Sequence, residues 1–225
     1  MLTAALPPTH FNYVDVIVVV WLLVGILRGR HRGLTQELLP TLQWVGMVIL
    51  AGFFYSPLAT VIFNNANGAF NHLWSNISAY LSVAFGVHLV ILWFKHVIGE
   101  KLTGSDLFGR AEYYLGMLAG LIRFACMLIF VCALMNSRVY SAAELAETEQ
   151  MQKKNFEDIR FPTYGTVQRA VLVESFTGRL IEDNLHPILI ASVTGGTPAK
   201  TIAQKREEII NSILSAPKDP GAQKK

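Results

Sequence analysis

The chain has 225 residues, of which 52% are hydrophobic and 16% are charged, and its mean hydropathy is +0.39. This composition excludes an ordinary soluble domain of the same length, in which about a quarter of the residues are charged. The formal net charge of +3 provides no basic face large enough for nucleic acid, and we expect no nucleic-acid partner.

The charged residues are unevenly distributed along the chain. Most of the 19 Lys and Arg and 16 Asp and Glu residues follow position 135. We therefore expect a transmembrane domain over residues 1–135 and a polar helical C-terminal extension over residues 136–225. The chain before the first apolar segment contains neither Lys nor Arg, so we expect no cleaved signal peptide there.

Four apolar segments follow one another in the first 135 residues. The first covers residues 11–27, contains Asp15 and is followed by Arg32 and Gly33, and the others cover residues 38–63, 74–94 and 115–135. Each has at least the roughly 17 residues that a helix needs to cross a bilayer. Because the segments lack the alternating pattern of barrel strands, the sequence predicts an all-α polytopic membrane protein with about four transmembrane helices.

The short loops differ in their basic residues. The first loop (residues 28–33) and the third (residues 95–114) each contain three Lys or Arg residues, whereas the second (residues 64–73) contains none. The positive-inside tendency places the first and third loops in the cytoplasm. We therefore expect a multi-pass protein of the bacterial inner membrane, with both termini and the extension in the periplasm.

The extension contains several local helix signals. Ser141 and Glu144 have capping-box spacing and predict a polar helix through about residue 155, and Pro162 then favours an extended break. Amphipathic segments are predicted around residues 167–181, 186–190 and 198–214, with a disordered end. We expect these segments to pack on the bilayer, on one another or on an envelope protein partner.

No motif for catalysis is present. Cys126 and Cys132 lie six positions apart on one predicted helix, on different faces, and are interpreted as packing residues. The sequence contains no recognisable nucleophile, metal or phosphate-binding motif. We therefore expect a protein that is not an enzyme, with no catalytic, cofactor-binding or metal-binding residues and no cofactor.

Three ionisable residues lie within the apolar segments, namely Asp15, His88 and Arg123. Such groups usually pair with one another, face the inside of the bundle or line a wet cavity. Candidate partners for Arg123 are the carboxylates of Asp15 and Glu112. The residues alone leave open whether this polarity is structural or belongs to an ion path.

Glycine spacing predicts close helix packing. Gly116 and Gly120 form one small-residue ridge on the fourth segment, and Gly25, Gly29 and Gly33 repeat the four-residue spacing on the first. Such ridges allow helix backbones to approach closely. The contact could be made within one chain or between copies, so a homo-oligomer stays open.

The polar positions together resemble the colicin V production protein (CvpA-like) family. The resemblance is carried by the spacing of a set of residues from the first segment to the fourth, namely Asp15, Arg32, Gly33, Glu37, Trp44, Glu112, Gly116, Gly120 and Arg123. Family members usually have Asp-Arg where this chain has Glu112-Tyr113, and Arg-Gly where it has Arg123-Phe124. The carboxylate is retained as Glu112, but Tyr113 takes the place of the arginine of Asp-Arg, so an ion pair that this arginine makes in relatives would be lost here.

The resemblance implies a small bacterial inner-membrane protein with a role in toxin production or export and in envelope homeostasis. It implies no established reaction. We expect a membrane scaffold or accessory factor. Two alternatives are an oligomeric channel or transporter that uses Asp15 and Arg123, and an envelope enzyme.

The predicted orientation can be tested by cysteine labelling in a variant whose two native cysteines are replaced by alanine. Single cysteines at Asn67 and Lys153 are expected to react with an impermeant maleimide added to spheroplasts, and one at His31 is not, because the loop charges place it in the cytoplasm. Labelling at His31 together with protection at Asn67 would reverse the orientation.

Overall fold

The computed structural model describes residues 12–65, 71–102, 109, 111–156 and 161–194, and it is almost entirely helical. The elements in chain order are helices α1 (Tyr13–Asn65), α2 (His72–Leu102) and α3 (Ala111–Met135), strand β1 (Arg138–Val139), helices α4 (Ala142–Phe156) and α5 (Tyr164–Gln168), a π-helical segment (Arg169–Glu174), helix α6 (Phe176–Leu185) and strand β2 (Val193–Thr194). Three of them, α1 to α3, contain segments long and apolar enough to cross a membrane. The all-α membrane fold is confirmed.

Helix α1 is divided by Gly33. A straight helix of its 53 residues would be about 80 Å long, far more than a bilayer of roughly 30 Å requires. Gly33 has φ 76° and ψ 168°, a backbone conformation that only glycine adopts readily. It separates a first arm (residues 13–32) from a second arm (residues 34–65).

Contacts with α3 reveal that the two arms run in opposite directions. In the first arm Trp21 contacts Phe124 and Gly29 lies against Gly116, so the arm is antiparallel to α3. In the second arm the contacts ascend together, from Thr35 with Glu112 to Trp44 with Phe130. The chain therefore reverses at Gly33, and the predicted first and second membrane segments are the arms of one helical hairpin.

Helix α2 completes the bundle along the second arm. Phe63 of the second arm stacks on His72, and Tyr55 of the same arm lies edge-on to Tyr80, so the two helices are antiparallel. The bundle consequently has two ends. The Gly33 end contains the hairpin reversal and the start of α3, and the Met135 end contains the start of the first arm and the end of α3.

The predicted glycine ridges meet within one chain. The first arm crosses α3 where Gly25 and Gly29 face Gly116 and Gly120, and a Cβ atom at any of these four positions would overlap backbone or side-chain atoms of the opposite helix. All four glycines are buried. The prediction of a close helix contact is confirmed, and the contact is intramolecular.

The described part of the extension packs on the Met135 end. Buried residues of α6 and of the turn after it join the same apolar core as those of the second arm, α2 and α3. Strand β2 adds one backbone hydrogen bond, from Val193 to Ser137. The described residues up to Val193 belong to one compact unit. The predicted helix at 198–214 and the predicted disordered end lie outside the described residues.

The helix start predicted at the beginning of the extension is confirmed. Ser141 and Glu144 form the predicted capping box, in which each backbone N–H donates to the side chain of the other residue, at 3.0 and 3.2 Å. The helix that they open is α4, and the predicted break at Pro162 is followed by α5, which Thr163 caps. The single amphipathic segment predicted over 167–181 is instead interrupted at Ser175.

Replacing Gly29 by alanine is expected to destabilise the bundle by about 1–3 kcal/mol, because the added methyl would overlap the carbonyl group of Gly116 and overpacking costs that much. Gly86 is the matched control, since no atom lies within 4 Å of the position of its missing Cβ. Gly86→Ala should be neutral or stabilising. The measurement is unfolding of the purified protein by SDS in mixed micelles, and equal effects of the two substitutions would contradict the crossing.

Candidate functional site

Arg123 lies in the middle of α3, yet its guanidinium group reaches toward the Gly33 end. Helical side chains tilt toward the N-terminus of their own helix, and the N-terminus of α3 is at that end. There Arg123 Nη1 donates to Glu37 Oε2 at 2.8 Å. Glu37 is in the first turns of the second arm and is only 1% exposed, so the pair is shielded from solvent.

Glu37 is shared by two arginines. Its other carboxylate oxygen, Oε1, accepts a hydrogen bond from Arg32 at 3.4 Å, and the Arg32 side chain is 38% exposed. The predicted partners of Arg123 were Asp15 and Glu112, and that prediction is wrong. Both are occupied elsewhere, whereas Glu37 lies within the reach of the arginine because the hairpin reverses only four residues before it.

Glu112, at the start of α3, packs against the residues at which the hairpin reverses. Its Oε1 atom accepts a hydrogen bond from Thr35 at 2.8 Å, and the same carboxylate lies against Gly33, where a Cβ atom would come within 2.9 Å of it. Glycine at position 33 is therefore required twice, for its positive φ and for this contact. We call these contacts the hairpin network. It comprises the ion pairs of Glu37 with Arg32 and Arg123 and the contacts of Glu112 with Thr35 and Gly33.

Asp15 belongs to a second site at the Met135 end. Its side chain is only 1% exposed, and its carboxylate accepts backbone hydrogen bonds from Phe176 at 3.2 Å and Thr177 at 2.9 Å. The Thr177 hydroxyl donates to it at 2.7 Å, and the backbone N–H of Asn12 at 3.0 Å. The carboxylate of the first arm thus caps α6 of the extension, an arrangement that we call the Asp15 clamp.

The Asp15 clamp completes the N-terminus of α6. The first four backbone N–H groups of a helix lack partners within it. Asp15 accepts those of Phe176 and Thr177, and the Ser175 hydroxyl accepts that of Gly178 at 2.9 Å. The Arg179 N–H then makes the first bond within the helix, to the Ser175 carbonyl at 3.4 Å. A negative charge at this position is also favoured by the helix dipole.

The extension has further anchors on the bundle. Gln168 is buried and donates to the carbonyl groups of Met135, at 2.5 Å, and of Arg138. Tyr55 of the second arm accepts a hydrogen bond from the Ala191 N–H at 2.9 Å, and Gly52 lies directly against Ile188. The described extension is thus fixed at several points of the Met135 end.

The remaining predicted polar residue, His88, bonds a neighbouring helix. Its Nδ1 atom lies 2.8 Å from Gln43 Nε2, and both residues line a groove of about 610 Å³ between the second arm, α2 and α3. Cys126 and Cys132 are free thiols, and Cys132 packs in the apolar core. Within the described residues no group of three or more His, Cys, Asp or Glu side chains could hold a metal ion.

Trp44 packs against Phe130, and the other eight residues that carry the resemblance fall into three groups in the structure. Asp15 is in the clamp, Gly116 and Gly120 are at the crossing, and the other five belong to the hairpin network, namely Arg32, Gly33, Glu37, Glu112 and Arg123. Sequence reasoning missed Thr177, Ser175 and Gln168, which contact residues on other elements. A signal for one of them existed, since Ser175 is a preferred N-cap residue that precedes a glycine by three positions.

The fold and these two sites define an all-α membrane protein whose polar side chains hold its helices together. A family model described as "Colicin V production protein" matches residues 14–153. The chain therefore belongs to the colicin V production protein family. The matched range contains all nine residues that carry the resemblance, whereas the Asp15 donors Phe176 and Thr177 follow it and Asn12 precedes it. No curated protein and no solved structure matches the chain.

The hairpin network can be tested by a double-mutant cycle with Glu37→Met and Arg123→Met. Glu37→Met should lower the free energy of unfolding by about 3–5 kcal/mol because it leaves Arg123 uncompensated. Arg123→Met should cost less, since Arg32 still neutralises the carboxylate. The double variant is expected to be more stable than the sum of the two losses by about 1–3 kcal/mol.

The exposed pair of Arg169 and Glu174, at 3.1 Å, serves as the control for that cycle. Its side chains are 55% and 44% exposed, so the same substitutions there should change stability by less than about 1 kcal/mol. SDS unfolding measures both cycles. Additive losses at positions 37 and 123 would show that the pair does not couple the hairpin to α3.

Proposed function

We propose that this protein is a multi-pass scaffold of the bacterial inner membrane that fixes its C-terminal extension at one membrane surface, where the extension engages an envelope partner. The family to which it belongs connects it with the production of a colicin V-type toxin. In this proposal it is an accessory factor for toxin production or export and for envelope homeostasis. The Asp15 clamp is the observation that carries it.

The Asp15 clamp supports the scaffold proposal because it joins a membrane segment to the C-terminal extension. Asp15 lies at the start of a membrane segment, and its donors lie 161 and 162 positions later, in the extension. A carboxylate that accepts several hydrogen bonds at a helix N-terminus fixes the direction of that helix as well as its place. Helix α6 is thereby held in one orientation relative to the bundle end.

The surface of the clamped segment also fits engagement of a partner. Phe176 and Leu180 of α6 are 54% and 53% exposed, and Val173 of the preceding π-helical segment is 37% exposed, although Gly178 and Ile181 of α6 are buried. Exposed apolar side chains on a fixed helix are a common basis for partner recognition or for contact with the bilayer.

The proposal also includes an orientation of the bundle in the membrane. Arg28, Arg30 and Arg32 lie at the Gly33 end, and the positive-inside tendency assigns that end to the cytoplasm. The Met135 end and the extension then face the periplasm. The loop charges are the basis of this assignment, and labelling of single cysteines tests it.

The two alternative functions stay predictions. A channel or transporter was predicted to use Asp15 and Arg123 together, but these side chains belong to separate networks at different ends of the bundle. An envelope enzyme would use Glu37 or Glu112, and both carboxylates are engaged by partners within the chain. Neither alternative is favoured by a specific contact.

Asp15→Ala tests the scaffold. It removes the cap of α6, and we expect faster amide hydrogen exchange at residues 176–185, a loss of about 1–2 kcal/mol of helix stability and impaired toxin export in a strain that lacks its own copy. Asp183→Ala is the control, because Asp183 is an exposed carboxylate on the same helix and should leave both readouts unchanged.

Asp15→Asn removes the negative charge and one of the two acceptor oxygens. Asparagine can still accept from Thr177, but its NH2 group would face the N–H groups of Asn12 and Phe176, so this variant should keep only part of the protection and of the activity. Protein abundance in the membrane is followed by blot for every variant. An Asp15→Ala protein of normal abundance that exchanges rapidly at α6 and is fully active would contradict the proposal.

A further inference from the structure

We propose that the groove between the first arm and α3 at the Gly33 end is a binding site for the headgroup of an anionic phospholipid. The groove has a volume of about 790 Å³ and is lined by Leu27, Arg30, His31, Tyr113, Tyr114 and Met117. It is separate from both the hairpin network and the Asp15 clamp.

The walls of the groove combine the groups that such a lipid requires. Arg30 and His31 provide N–H donors for a phosphodiester, and the hydroxyl groups of Tyr113 and Tyr114 provide donors for its oxygen atoms or for the polar headgroup. Leu27 and Met117 continue the lining with apolar surface. Tyrosine side chains are typical of the level at which headgroups meet the hydrocarbon core.

The charges at this end favour an anion. The hairpin arms and α3 place four arginines here, at positions 28, 30, 32 and 123, against two glutamates, at positions 37 and 112. Glu37 is bound by Arg32 and Arg123, and Glu112 by Thr35. In the described part of the chain, the side chains of Arg30 and His31 therefore have no hydrogen-bond or ion-pair partner.

The groove is also held open by the packing beneath it. The first arm and α3 are kept in contact at Gly29 and Gly116, and the hairpin network fixes the same ends of both helices. The walls are thus in place before a ligand arrives, which reduces the ordering that binding would otherwise require. A lipid is favoured over a soluble anion because Leu27, at the groove, is 65% exposed on a segment that crosses the membrane.

Native mass spectrometry of the detergent-purified protein tests the site. Dioleoyl phosphatidylglycerol and dioleoyl phosphatidylcholine are titrated in separate experiments, and inorganic phosphate is then added to protein that carries phosphatidylglycerol. We expect one phosphatidylglycerol molecule to be retained in preference to phosphatidylcholine, and no competition from inorganic phosphate. Equal retention of both lipids, or displacement of the lipid by phosphate, would overturn the proposal.

Three variants locate the bound lipid. Arg30→Gln should weaken retention of phosphatidylglycerol about fivefold, the value expected from about 1 kcal/mol for one arginine at a membrane surface. Arg28→Gln removes the same charge from a position that does not line the groove, and it should have a smaller effect. Equal losses would mean a diffuse attraction to the whole arginine cluster and would overturn the site.

Met117→Trp leaves the charges unchanged and fills the groove. It should reduce retention of phosphatidylglycerol to the level of phosphatidylcholine. Unfolding in SDS verifies that each variant is folded, and retention of the lipid by a folded Met117→Trp protein would overturn the proposal. The result is independent of the scaffold proposal, because neither α6 nor Asp15 contributes to the groove.

Discussion

The backbone contact between the first arm and α3 is the constraint on which the rest of the structure depends. Gly25 and Gly29 lie so close to Gly116 and Gly120 that no side chain fits between the two helices. In a bilayer, where lipid tails are as apolar as leucine, such close van der Waals packing replaces the hydrophobic driving force of soluble proteins. The crossing fixes the register of the first arm against α3, and that register decides which polar groups can meet.

Two buried carboxylates lie at opposite ends of the bundle, and each is stabilised by a different kind of donor. Glu37 is neutralised by guanidinium groups, which carry charge into the bundle. Asp15 is satisfied by backbone N–H groups and one hydroxyl, which carry no net charge of their own. The first arrangement joins membrane helices to one another, and the second joins a membrane helix to the extension. An unpaired carboxylate at either place would cost several kcal/mol.

Much of this fold was predictable because its signals are local. Apolar segment length predicted the helices, four-residue glycine spacing predicted the crossing, and the spacing of Ser141 and Glu144 predicted the start of α4. The partner of Arg123 was not predictable from spacing alone, since it depends on where Gly33 reverses the chain and on the direction in which the arginine extends along α3. Gly33 was recognised as a ridge residue, but its positive φ became evident only in the structure.

The contact between Asp15 and α6 could not be predicted for a different reason. Its groups are separated by 161 positions, and a carboxylate at the edge of a membrane segment has an ordinary explanation as an interfacial residue. Nothing in the sequence near Phe176 or Thr177 indicates an external cap. Ser175 is the local sign that a helix begins there, and the second acceptor that this helix needs is supplied by a distant part of the chain.

That separation also has a consequence for biosynthesis. At about 5–20 residues per second, roughly 8–30 s pass between synthesis of Asp15 and synthesis of the donors that satisfy it. Throughout that interval the carboxylate of Asp15, at the start of the first membrane segment, must remain in contact with water or lipid headgroups. The segment can settle at its final depth only when α6 arrives. A chain that terminates before α6 therefore keeps the Asp15 carboxylate exposed. This exposed carboxylate distinguishes an incomplete copy from a finished one.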